Sequence, residues 1–97
     1  MSIQSFASQD VEEFFLNGKA PQKEGWASTS RIARRKLDML HYAIRLGDLR
    51  SPPANRLEAL KGDWISFYSI RINDQWRVVF KWTLLGPSNV DIVDYHK

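Results

Sequence analysis

At 97 residues the chain forms one domain, and 43% hydrophobic residues, with four Trp, five Phe and three Tyr, exclude a disordered tract. The lack of cysteine excludes disulfides, thiolate metal sites and cysteine nucleophiles, and fits a reducing cytoplasm. Fourteen Lys and Arg against eleven Asp and Glu leave a net charge of +3, compatible with a nucleic-acid partner without requiring one.

The N-terminal Met1 to Phe6 has neither the basic region nor the apolar run of a signal peptide. No stretch approaches the roughly 18 apolar residues of a spanning helix. The expectation is a soluble cytoplasmic protein without a membrane partner, occupying residues 1–97 as one unit.

Ser2 to Phe6 reads as a short first strand. Ser8 or Asp10 is placed to cap a brief helix through Val11, Phe14 and Phe15, which Asn17-Gly18 stops. Lys19 to Trp26 reads as a loop. A second helix starts at Thr29 or Ser30, since Ala33, Leu37, Leu40 and Ile44 recur at helical spacing, with Gly47 as its C-cap. Its outer face carries Arg31, Arg34, Arg35, Asp38 and Arg45. That face is either simply solvated or meets the phosphates of a large RNA; in the second reading Arg34 and Arg35 are contacts.

Ser51-Pro52-Pro53 ends helical structure and forces an extended connection. Leu57 and Leu60 then suggest a short strand ending at Gly62. Ser66 to Ile72, Trp76 to Trp82 and Asn89 to Tyr95 read as successive strands, joined by Asn73-Asp74-Gln75 and Leu85-Gly86-Pro87-Ser88. Helices first and a meander afterwards predict an α+β domain. Two N-terminal helices pack on a twisted, mainly antiparallel sheet of about four to five strands.

The middle hairpin permits a sharper step. Tyr68, Ile70 and Ile72 share one face, as do Trp76, Val78 and Phe80, and a one-residue slip would turn one set to solvent. Pairing the sets puts Arg71 directly opposite Arg77, with Lys81 further along the same face. Like charges facing each other across a strand pair are mildly unfavourable. An anion-binding surface is one reason to build such a pair, because guanidinium groups grip phosphates bidentately. The alternatives are that each arginine pairs with a nearby carboxylate, or that a two-residue loop separates them.

The chain closes on Asp94-Tyr95-His96-Lys97. Histidine titrates near about 6.5 and suits proton transfer near neutrality, so His96 is either a catalytic acid–base or a frayed surface residue. His41 lies on the outer side of the second helix with no assigned role. The two histidines and scattered acids show no metal-ligand spacing, and no glycine-rich phosphate loop or nucleophile elbow is present. Any enzyme here is expected to work without metal or cofactor.

Three runs carry a family resemblance: Asn55-Arg56-Leu57-Glu58-Ala59-Leu60-Lys61-Gly62, Tyr68 through Arg77, and Val93-Asp94-Tyr95-His96. Together with Leu49-Arg50-Ser51-Pro52-Pro53 they resemble the HigB-like toxins, or plasmid-maintenance killer proteins, of the RelE/ParE superfamily. The resemblance implies a RelE-like fold and a toxin that cuts mRNA on the ribosome. It also implies a HigA-type helix-turn-helix antitoxin as partner, through which alone operator DNA is contacted.

Cleavage of this kind needs a base for the 2′-hydroxyl, cations for the crowded phosphorane and an acid for the leaving oxygen. Arg77 is the candidate cation, assisted by Arg71 or Lys61. His96 is the candidate acid or base, and Tyr95 stacks on a nucleobase or donates a hydrogen bond. Some family members carry a histidine just before the Lys-Gly turn, where this chain has Glu58. A carboxylate titrating near about 4.3 suits a base better than an acid, and Glu58 alternatively neutralises Arg56. Arg56, Lys81 and Lys97 are the remaining candidate RNA contacts. Two competing readings are a ParE-like toxin acting on DNA gyrase through protein contacts, and a plain RNA-binding module.

Overall fold

The computed structural model describes residues 2–21 and 25–94. Helix α1 spans Gln9–Asn17. Ser8 Oγ accepts the Val11 N–H at 3.3 Å, and Gly18 closes the helix at φ +74°, donating its N–H to the Phe14 carbonyl. Only glycine adopts that conformation without cost. Helix α2 spans Ser30–Tyr42 and buries Ala33, Leu37 and Leu40, the spacing that marks it in the sequence.

Four strands follow: β1 (Glu58–Ala59), β2 (Phe67–Arg71), β3 (Trp76–Thr83) and β4 (Gly86–Asp94). They form one antiparallel sheet in chain order. The N-terminal segment adds to the free edge of β4 in the parallel sense through Phe6 and Val90. The architecture is the RelE-like α+β arrangement expected from the sequence, two helices against a mainly antiparallel sheet.

The hairpin register is the one the two apolar sets require. Tyr68 faces Phe80, Ile70 faces Val78, and Arg71 faces Arg77. Asn73 Oδ1 accepts the backbone N–H groups of Gln75 and Trp76, both at 2.8 Å, which holds the connecting turn. Ile70, Val78 and Phe80, together with Val90 and Ile92, meet Val11, Phe14, Leu37 and Leu40 in the core. Each such side chain contributes about 1.5–3 kcal/mol on burial.

Several local expectations are corrected. Gly47 does not cap α2: the chain leaves the helix at Ala43, which is extended, and Gly47 sits inside a 3-10 turn over Leu46–Arg50. Asp48 Oδ2 accepts the N–H groups of Ile44 and Arg45, both at 3.0 Å, and so starts that new turn. These backbone bonds hold the Asp48 carboxyl below its usual range. The extended stretch at Pro52 gives way to another 3-10 turn, Pro53–Asn55. Leu57 to Gly62 shortens to the two residues of β1, since Gly62 turns at φ +64° and opens a 3-10 turn. Gly86, Pro87 and Ser88 belong to β4 rather than to a turn, because Thr83 pairs directly with Gly86 across Leu84-Leu85.

His41 is not an outward residue. It is half-buried, packs on the Phe15 ring at 5.2 Å, and its Nδ1 accepts the Ile3 N–H at 3.3 Å. The sequence also gave no sign of a buried polar pair. Lys36, inside α2, donates from Nζ to Asn55 Oδ1 at 2.6 Å. Asn55, fully buried, donates in turn to the carbonyls of Leu49 and Ser51. Burial, with Arg35 nearby, lowers the Lys36 pKa from its ordinary 10.5.

Candidate active site

Strand side chains alternate between faces, so the residues between the core positions point away from the helices. Ser69, Arg77 and Val79 occupy that second face. The chain after β1 folds over its edge, and an open cleft of about 320 Å³ results. Leu60, Lys61, Trp64, Ser69, Arg77, Val79, Val93 and Asp94 line it.

Arg77 is the centre of this site. Its side chain is 7% exposed, whereas that of its partner Glu58 is 44% exposed. Arg77 Nη1 donates to Glu58 Oε1 at 2.9 Å and to Ser69 Oγ at 3.4 Å. The β1–β2 register places these partners, since Glu58 lies directly opposite Ser69. The guanidinium is therefore oriented in advance by one water-facing carboxylate and one buried hydroxyl. Lowered access to water strengthens its attraction for any anion that enters. Lys61, exposed at the rim, adds a second cation.

The other candidates separate. Arg71 lies opposite Arg77 in the backbone register, yet its guanidinium pairs with Asp74 in the turn. The twin-arginine clamp is thus not formed; each arginine takes its own carboxylate, the alternative the sequence left open. Glu58 neutralises Arg77 rather than Arg56, which is exposed at φ +47° just before β1. Lys81 lies opposite Phe67 and its Nζ stands 5.2 Å over that ring, beyond the cleft lining. Arg34 pairs with Asp38 and stacks on Phe15, and Arg35 is exposed on α2. Both belong to a helix on the opposite side of the sheet, so neither reaches the cleft. Tyr95, His96 and Lys97 lie outside the described residues, directly following Asp94. Asp94 Oδ2 accepts from Gln75 Nε2 at 2.9 Å.

Sequence reasoning missed Ser69, Trp64, Val79 and Val93. Carrying the hairpin register two residues along the same face from Arg71 would have exposed Ser69. Nothing in the sequence places Trp64, because its position depends on the turns after Lys61. Among the described residues no group of three or more His, Asp or Glu side chains is placed to hold a metal ion, and no helix is long and apolar enough to cross a membrane.

A RelE-like α+β sheet with a cleft around Arg77 and Lys61 on the face away from the helices defines the class of protein. Comparison with known proteins gives the family. Residues 4–96 match the family described as the RelE-like toxin of the type II toxin-antitoxin system HigB, and the chain belongs to that family. It is 48% identical over 92 residues to Toxin HigB-1 of Vibrio cholerae, covering 95% of each chain. It is also 46% identical over 52 residues to an uncharacterized protein of Haemophilus influenzae, spanning about half that protein's length, 52%.

Proposed function

We propose that this toxin is a ribosome-dependent mRNA endoribonuclease that works without metal, with the cleft around Arg77 as its active site. The observation that carries the reading is the preset guanidinium: buried, held by Glu58 and Ser69, and open to an apolar-walled cleft with Lys61 on its rim. A fold gains little stability from burying an arginine whose partner faces water. A phosphate-binding site gains a cation that need not reorganise during reaction.

In this mechanism the RNA 2′-hydroxyl attacks the adjacent phosphorus and the bond to the 5′ oxygen of the next nucleotide breaks. The products are a 2′,3′-cyclic phosphate and a 5′-hydroxyl end. Arg77 and Lys61 neutralise the charge that gathers on the phosphorane oxygens. A phosphate in the cleft takes over or shares the Arg77 Nη1 contact, and this frees the Glu58 carboxylate to accept the 2′-hydroxyl proton. His96, which follows the cleft residue Asp94 by two positions, supplies the proton to the leaving oxygen, and Tyr95 contacts a base or phosphate. Arg56 and Lys97 grip the RNA backbone. The partner that restrains the toxin is a HigA-type helix-turn-helix antitoxin.

The test compares the wild-type chain with an Arg77→Ala, His96→Ala double variant, both verified as folded, by mapping mRNA 5′ ends on translating ribosomes. New ends within translated codons are expected for the wild type. Losing one preset charge donor alone costs about 10²–10³ in rate, so the double variant should leave no ends above background. Growth arrest without new ends would reject the nuclease and redirect attention to gyrase or another protein target.

A further inference from the structure

We propose that Trp64 is a stacking platform for one nucleobase of the RNA, the base attached to the phosphate held by Arg77. This inference rests on the nuclease reading and adds to it the residue that receives the base.

Trp64 closes the 3-10 turn that begins at Gly62, and this turn places its indole on the wall of the cleft. Trp64 remains 39% exposed. Phe67 meets it edge-on, with centroids 5.1 Å apart and planes at 88°, and Lys81 covers Phe67 in turn. The indole is thus braced by an aromatic ring that is itself braced. A tryptophan there purely for stability would be expected inside the core, as Trp26 is at 2% exposure. Leu60, Val79 and Val93 supply apolar surface within the same cleft, while Arg77 and Lys61 supply the charge.

A ligand that fills such a site carries a flat apolar group joined to an anion. A nucleotide of single-stranded RNA has both, and unstacked bases are recognised mainly by aromatic side chains. Stacking is tolerant of sequence because every base has a π-face. Trp64 therefore holds the nucleotide in place while leaving base identity to other contacts.

Two variants separate stacking from bulk. Trp64→Phe keeps an aromatic face; Trp64→Leu keeps apolar volume without one. Each is assayed for cleavage on translating ribosomes, and for binding of a short single-stranded RNA made uncleavable by a 2′-deoxy nucleotide at the cut position. Base stacking on one aromatic side chain corresponds to about 5- to 100-fold in affinity or rate. Trp64→Leu should lose that factor, and Trp64→Phe should retain most of it. An RNA lacking the base at this position should cost the wild type a similar factor and cost Trp64→Leu nothing further.

Equal activity and binding in wild type and Trp64→Leu would overturn the proposal. So would equal losses in both variants when near-ultraviolet circular dichroism shows each folded. If the wild type cuts no RNA, the nuclease reading falls separately, and the binding measurement, which needs no chemistry, still decides Trp64.

Discussion

The two faces of the sheet are built from the same strands and follow opposite rules. On the helix-covered face Ile70, Val78 and Phe80 are completely buried against α1 and α2. On the other face Ser69, Arg77 and Val79 are nearly as buried, yet they line an open cleft. Low exposure thus has two origins in this molecule. On the covered face it comes from close packing of apolar side chains, each of which stabilises the fold. On the cleft face it comes with the segment after β1, whose Leu60, Lys61 and Trp64 line the cleft, and it shields a charge. The same strands carry both, so the Arg77 guanidinium projects from regular sheet backbone.

This contrast can be broken by removing one side chain from each face. Phe80→Ala should cost about 3–5 kcal/mol, because it deletes a ring from the packed core. Val79→Ala removes apolar surface that borders open space, and at about 0.8 kcal/mol per methylene should cost no more than about 2 kcal/mol. Urea unfolding of both variants checks the order; equal losses would show that the cleft floor is part of the packed core.

A second comparison concerns two buried cations. Arg77 meets a carboxylate that faces water, whereas Lys36 meets the neutral Asn55 inside the protein. Asn55→Ala leaves the Lys36 ammonium buried without that acceptor and should cost about 1–3 kcal/mol. The pH dependence sharpens the point. Folding lowers the Lys36 pKa below 10.5, so between the folded value and 10.5 the unfolded chain binds more protons. Stability should rise with pH through that window, after allowance for other groups, and Lys36→Met should flatten the rise. Chemical denaturation across alkaline pH measures it.

The smallest effect belongs to the surface. Asp48 holds two backbone N–H groups, and its lowered pKa contributes stability that is present above 3.8 and fades as pH falls through the folded value. Asp48→Ala should shrink the acid-side loss of thermal stability without touching RNA cleavage. An unchanged acid limb would place the loss in other carboxylates.

Much of this was legible in the sequence because it depends on local patterns. The 3.6-residue recurrence of Ala33, Leu37 and Leu40 marked α2, and two apolar triplets with period two fixed the β2–β3 register, hence the opposition of Arg71 and Arg77. The motifs around the Lys-Gly turn and the hairpin gave the family, which the full-length match bears out. Helix ends and turns were less legible. Gly47 carries a capping residue type, but Asp48 captures the backbone first. Gly86 and Pro87 look like a turn, yet a two-residue loop lets them pair.

Which side chains meet was decided by tertiary structure alone. Register brings Arg71 and Arg77 face to face, but long side chains swing several ångströms, and each found a different carboxylate in space. Glu58 lies nineteen positions from Arg77, and no spacing rule spans such a separation. Trp64 reached the cleft through the turn geometry that follows Gly62. The sequence by itself determined the presence of the two helices, the β2–β3 pairing and the family, since these follow from periodicity and neighbouring residues. The site's partners, its cleft and the buried Lys36–Asn55 pair arose from packing between distant segments, which only the folded chain brings together.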